Sequence, residues 1–118
     1  MHRPSAADVE SRLPVRPVAF AVLAALAERP LPGFGILEAV NATVPGSRLF
    51  GPGTLYRLLR ELRQERLIAR TDPGAGSRDD RQVHHELTAL GAAVLRAEGA
   101  RLRRTLDLAT RARPATVR

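Results

Sequence analysis

Four leucines, Leu55, Leu58, Leu59 and Leu62, stand at i, i+3, i+4 and i+7. That spacing is the period of a helix with one buried face, and it is the firmest constraint in the chain. Pro52 falls in the first turn, where its missing N–H costs nothing, and Gly51 is a tolerable cap. At about 100° per residue, the side away from the leucines carries Arg57, Arg60, Glu61 and Gln64, with Tyr56 and Arg63 on one flank. Beyond Glu65 the period changes. Leu67–Thr71 reads as a strand, Asp72–Asp80 as a loop carrying Pro73, Gly74 and Gly76, and Arg81–Leu87 as a returning strand. Two short strands around a glycine-rich loop make a β-hairpin.

Two helices precede this unit. The first is expected from Pro17 to Glu28, with Ala19, Phe20, Val22, Leu23, Leu26 and Ala27 covering nearly its whole circumference. A helix apolar all round is buried on all sides. In so small a chain part of that cover is expected from a second subunit, which makes Phe20 a dimerisation candidate. The apolar run Val18–Ala27 has only ten residues, too few for a helix across a bilayer, so no membrane partner is expected. Arg29–Gly33 ends this helix as a turn, and the second helix follows over Phe34–Thr43 with Ile36, Leu37 and Val40 inward. Pro45-Gly46-Ser47 closes it.

A last helix is expected after the hairpin, capped by Thr88 and running from Ala89 to Ala112. Val94, Leu95, Leu102, Leu106 and Ala109 give it an apolar side, while Gly91 and Gly99 weaken it and leave room for a bend near Gly99. A terminal helix has little of its own subunit to cover it, so Leu95, Leu102 and Leu106 are the expected dimer seam. Arg101, Arg103 and Arg104 read as its solvated side. Ahead of everything, Ser5-Ala6-Ala7-Asp8 has the shape of a capping box. A short helix over Ala6–Arg12 and a frayed tail both remain open for this leader. The domain plan is a leader over 1–14, a helix-and-hairpin unit over 15–88, a dimerisation helix over 89–112 and a flexible tail over 113–118.

The composition narrows the chemistry. With 118 residues there is room for one modest core. The only aromatic residues are Phe20, Phe34, Phe50 and Tyr56, so the core must be aliphatic. Cysteine is absent, which removes disulfides, thiolate metal ligands and cysteine nucleophiles together and fits a reducing cytoplasm. All 19 basic residues are arginine, and the net charge is +7. A basic surface attracts polyanions. The excess is uneven, however: residues 88–118 carry seven arginines against two acids, and residues 50–87 seven against six. Charge alone therefore does not mark the leucine-striped helix as a reader of DNA. No nucleophile–base spacing stands out, and no enzyme activity, cofactor or metal is expected. His84 and His85 are adjacent on a strand, point to opposite faces and cannot easily share one metal ion.

Helix, helix, helix, hairpin, helix is the order of a winged helix-turn-helix, mainly α with a small β-hairpin. In that geometry the third helix enters the major groove, where arginine and glutamine read base edges, and the hairpin lies on the neighbouring backbone or minor groove. Gly51-Pro52-Gly53-Thr54-Leu55-Tyr56-Arg57-Leu58-Leu59-Arg60-Glu61-Leu62, followed by Glu65-Arg66-Leu67-Ile68, closely resembles the PadR family of bacterial repressors. Pro30-Leu31-Pro32-Gly33-Phe34 is similar to that family's Pro-Leu-His-Gly-Tyr turn. His84-His85-Glu86-Leu87-Thr88-Ala89-Leu90-Gly91 is similar to its Tyr-Tyr-Arg-Leu-Thr-Glu-Ala-Gly segment. Departures fall at Pro32, Phe34, Arg57 (often Pro), Arg66 (usually Gly), His84, His85 and Glu86, and they weigh on the wing more than on the third helix. The short terminal helix resembles the family's compact branch.

The resemblance implies a homodimeric repressor of double-stranded DNA, relieved by a small aromatic or cationic compound held near the dimer interface. It makes Thr54, Tyr56, Arg57, Arg60, Arg63 and Gln64 on the third helix, and Arg78 and Arg81 in the wing, the candidate DNA contacts. The competing reading of the helix is a solvated face laced by pairs such as Arg57–Glu61. Two further readings stay open: a winged helix used for protein interaction, and an architectural protein that binds DNA by charge alone.

Overall fold

The computed structural model describes residues 3–43, 51–71 and 83–115. The chain order is α1 (Ala6–Glu10), α2 (Pro17–Ala25), β1 (Leu31–Pro32), α3 (Gly33–Thr43), α4 (Pro52–Gln64), β2 (Ile68–Thr71), β3 (His84–Leu87) and α5 (Ala89–Thr110). This is the winged helix-turn-helix order with one short helix added in front. Ser5 caps α1 as its sequence suggests, its hydroxyl oxygen accepting from the Asp8 N–H at 3.1 Å. The leader is therefore a helix laid against α5.

The four leucines of α4 are buried together with Val22 and Leu23 of α2, Ile36 and Val40 of α3, Ile68 of β2 and Val94 of α5. α2 runs only to Ala25 and not to Glu28. Pro30 disfavours a helical Arg29 and draws the chain out of the helix early. The expected turn at Leu31-Pro32 is instead a short edge strand. It pairs antiparallel with β3, giving a three-stranded sheet of order β1-β3-β2 in place of a lone hairpin. Pro32 has no N–H to offer a central ladder, and an edge position suits it.

The helix-to-strand junction carries the most exacting geometry. Arg66 has φ 64°, in the left-handed region. The Leu67 N–H donates to the Leu62 carbonyl at 3.0 Å, and the Arg66 N–H to the Arg63 carbonyl at 2.9 Å. This is the paired-bond termination that favours glycine at the left-handed position. The start of α5 is clamped onto the same junction. The Thr88 N–H donates to the Leu67 carbonyl at 3.1 Å. The Thr88 hydroxyl donates to the Arg66 carbonyl at 2.6 Å and accepts from the Gly91 N–H at 2.9 Å. Gly91 lies so close to this strand that a Cβ would run into the Leu67 carbonyl oxygen. A residue that only weakens a helix on local propensity is required here by the packing.

α5 continues through Gly99 without a break and ends at Thr110, short of Ala112. An ion pair braces the helix across that glycine. Glu98 is 1% exposed, and its carboxylate accepts from Arg101 Nε at 2.6 Å, from Arg101 Nη2 at 2.9 Å and from the Val15 N–H at 3.1 Å. The Arg101 hydrogen bonds hold the Glu98 carboxyl below the usual carboxylate range. Arg101 is thus a partner of a buried carboxylate and not simply part of a solvated face. From Leu102 onward α5 is exposed and leaves the body of the molecule.

Two substitutions separate packing from propensity. Gly91→Ala should lower stability in chemical denaturation by about 1–3 kcal/mol or more, because backbone cannot yield to the new methyl. Propensity alone would raise it by about 1 kcal/mol. Arg66→Gly should raise stability by about 1 kcal/mol by relieving the left-handed backbone.

Candidate nucleic-acid interface

Burial of the leucine stripe turns the opposite side of α4 outward. Gly53, Arg57, Arg60 and Gln64 are all exposed there. Arg57 and Arg60 have no ion-pair partner among the described residues. The Arg57–Glu61 pair of the competing reading is not formed among the described residues. Glu61 is taken instead by Arg16, which stands at the N-cap of α2, at 3.0 Å. The one carboxylate that would oppose a phosphate on this part of the helix is thereby drawn to the flank facing α2. The helix start has no side-chain cap, since Gly51 has no side chain, so its first-turn N–H groups and the exposed Thr54 are available to an anion.

The other flank of α4 faces the sheet. Here Tyr56, Arg60 and Arg63 line a cleft of about 460 Å³ together with Pro32, Gly33 and Phe34 at the start of α3, Arg70 of β2, and Val83 and His85. Tyr56 lies across Gly33: a Cβ on Gly33 would sit 3.1 Å from both Cε1 and the hydroxyl of Tyr56. Arg63 is half-buried. Its guanidinium is held below its usual pKa first by burial, then by facing Arg70 and Arg60.

His85 and His84 lie on opposite faces of β3, as adjacent strand residues must. His85 is 4% exposed and sits directly opposite Leu31 on one side and Arg70 on the other. Its Nδ1 is buried without a hydrogen-bond partner among the described residues. Burial pushes its pKa down to about 4, and the nearby Arg63, Arg70 and His84 add to that.

The structure therefore gathers Tyr56, Arg57, Arg60, Arg63 and Gln64 on two adjoining sides of α4, with Thr54 at its start. Arg78 and Arg81 lie outside the described residues. Of the seam candidates, Leu102 and Leu106 are exposed at 37% and 60%. Leu95 is half-buried against the subunit's own core, and Phe20 is half-buried on α2. Arg16, Arg70 and Glu98 were not singled out from the sequence for these contacts. Arg16 meets Glu61 across 45 positions, and Arg70 reaches the cleft only through the register of β2 on β3, so no local pattern announces either.

The buried imidazole ties stability to pH. His85 is neutral when folded down to about pH 4 and titrates near 6.5 when unfolded. Between these values the unfolded chain binds more protons, so stability is full above about pH 6.5 and falls as pH drops toward 4. The loss amounts to at most about 3 kcal/mol at about 1.4 kcal/mol per pKa unit. Denaturation across pH 7 to 4 should show that slope in the native protein and a flatter one in a His85→Phe variant.

The model of the PadR-like transcriptional regulator family matches residues 22–97 of this chain, well over half of it. A PadR family transcription regulator from hypervirulent Clostridium difficile R20291 superposes with a TM-score of 0.68 at 19% identity, over 79% of this chain and 94% of that one. A variant of ZitR from Lactococcus lactis gives 0.67 at 22% identity over 86% of this chain, which spans only 62% of the ZitR chain. The adhesin competence repressor of Streptococcus pyogenes gives 0.62 at 17% identity, over 89% of this chain and 69% of its own. Comparison with curated proteins by sequence finds no match. At these identities the solved structures establish the winged-helix fold. The family match goes further, and the chain belongs to the PadR-like family of DNA-binding transcriptional regulators.

Proposed function

We propose that this protein is a homodimeric, sequence-specific repressor that reads the major groove with α4. The observation that carries the reading is the exposed Gly53–Arg57–Arg60–Gln64 side of that helix, with Glu61 withdrawn to Arg16. Arg57, Arg60 and Gln64 are suited to base edges. Tyr56 and Arg63 on the flank and Thr54 at the helix start are suited to backbone. In the wing, Arg78 and Arg81 are assigned to backbone contact from the sequence. Residues 15–88 then form the DNA-binding unit and 89–112 the dimerisation helix. The protein acts in the cytoplasm, and among the described residues no helix is long and apolar enough to cross a membrane.

The dimer is supported by the far end of α5. Leu102, Leu106 and Ala109 continue, turn by turn, the face that Gly91, Val94 and Leu95 turn toward the core. Beyond Arg101 that face has left the body of its own subunit, and a second copy is the natural cover. Phe20 on α2 is assigned to the same interface. A dimer would place two α4 helices on half-sites about 34–36 Å apart, one turn of the duplex. Repression is supported by the resemblance to the PadR family of repressors. Relief by a small molecule is supported by a second cleft of about 520 Å³, lined by Arg16, Pro17, Val18, Thr54, Arg57, Leu58 and Glu61. A compound seated there would compete with the Arg16–Glu61 pair and displace Arg57.

The purified protein should prefer its own upstream DNA to a scrambled duplex of equal length at two salt concentrations. Equal, steeply salt-dependent binding to both would reduce it to an architectural protein, and no binding would favour a protein-interaction module. Arg57→Ala and Gln64→Ala should each cost about 1–3 kcal/mol on the preferred site and less on the scrambled one. Leu102→Ala with Leu106→Ala should halve the mass measured by sedimentation; an unchanged mass would refute the seam.

A further inference from the structure

The cleft on the sheet side of α4 has an unusual lining. Arg60, Arg63 and Arg70 line it, and among the described residues no carboxylate lines it and none of the three has an ion-pair partner. One wall is the start of α3, an eleven-residue helix whose first turn holds no acidic residue and whose preceding residue, Pro32, has no side-chain acceptor to cap it. Helix starts present free N–H groups and partial positive charge. The inner wall is His85, 4% exposed, with a buried Nδ1 that has no hydrogen-bond partner among the described residues. Tyr56 brings its hydroxyl beside Gly33 at the same wall.

A helix start and three guanidinium groups without an ion-pair partner among the described residues call for the same thing, an anionic oxygen acceptor, and the buried His85 Nδ1 would donate to the same group in the tautomer that carries its proton there. Left empty, the arrangement is unfavourable: Arg63 is held below its usual pKa by burial and by its neighbours Arg70 and Arg60. An oxyanion would reverse each of these penalties at once, through charge-assisted bonds that guanidinium groups form best.

We propose that this cleft is an oxyanion-binding site for a phosphate-type group, held by Arg60, Arg63 and Arg70 against the start of α3, with His85 as its buried hydrogen-bond partner. Two sources carry that chemistry. One is a backbone phosphate of the duplex bound by α4, since Arg60 belongs both to the cleft and to the outward face. The other is a free phosphorylated small molecule, for which about 460 Å³ leaves room. The site itself does not depend on the repressor reading, because it can be tested with inorganic phosphate and no DNA.

The experiment is an NMR titration of the full chain with inorganic phosphate at constant ionic strength, balanced with chloride. The His85 ring nitrogens and the Gly33, Phe34 and Gly35 amides are followed. The expected result is a saturable shift confined to these groups, with affinity falling roughly tenfold in Arg70→Gln. Arg70 is exposed, so this variant should keep its fold; Arg63→Gln is the second variant and should weaken phosphate similarly. Shifts that match those from chloride alone, that map elsewhere, or that are unchanged in both variants would overturn the site. The duplex arm then separates the sources. Duplex that displaces phosphate from the His85 resonances in the native protein identifies a backbone phosphate. Duplex and phosphate bound together identify a free anion. Failure of the duplex to bind at all, with the phosphate shifts intact, would sink the repressor reading and leave this site standing.

Discussion

The contact between Leu55, Leu58, Leu59 and Leu62 and the core formed by α2, α3, β2 and α5 sets the rotation of α4 about its own axis. Each leucine removed from water contributes about 2 kcal/mol. A turn of the helix by one residue would put Tyr56, Leu59, Arg60 and Arg63, or Thr54, Arg57, Leu58 and Glu61, in their place. That rotation is therefore strongly held, and what α4 shows to solvent follows from it. Arg57, Arg60 and Gln64 face outward because they are opposite the stripe, and Glu61 and Arg63 occupy the two flanks. Once the flanks are fixed, Arg16 can reach Glu61 on one side and Arg70 can approach Arg63 on the other.

The second coupling runs between α4 and α5. Thr88 and Gly91 fasten the start of α5 to Arg66 and Leu67, immediately after α4 ends. Glu98 then fastens the middle of α5 to Val15, immediately before α2 begins. The helix that leaves the body of the molecule is thus tied at two points to the elements that bracket the proposed DNA-binding unit. In a dimer built on the far end of α5, the distance between the two α4 helices would be set through these ties and not through a flexible linker.

The sheet-side cleft departs from the economy of the rest of the core. An aliphatic interior is interrupted by a buried histidine whose Nδ1 has no partner among the described residues and by a half-buried arginine near two others. Such local conflict concentrates at functional or strained sites. Its position next to the outward face of α4 places it within reach of whatever that face binds.

Much of this was legible from local pattern. The leucine stripe, the Thr88 cap, the Ser5 cap and the change of period at Leu67 are short-range signals, and each follows from helix or strand geometry within a few residues. The sequence by itself therefore determined the helices, their order, the outward side of α4 and, through the long motif around Gly51–Leu62, the family. What only the tertiary structure decided involves partners distant in the chain. Leu31-Pro32 became a strand because β3 lies beside it. Gly91 became indispensable because Leu67 crosses it. Glu61 chose Arg16 over Arg57, Glu98 drew Arg101 out of the solvated face, and His85 met Arg70 through strand register. Periodicity reports which face a residue occupies, because that is set by bond geometry; it carries no information about which distant residue will stand opposite, because that is set by how the elements pack.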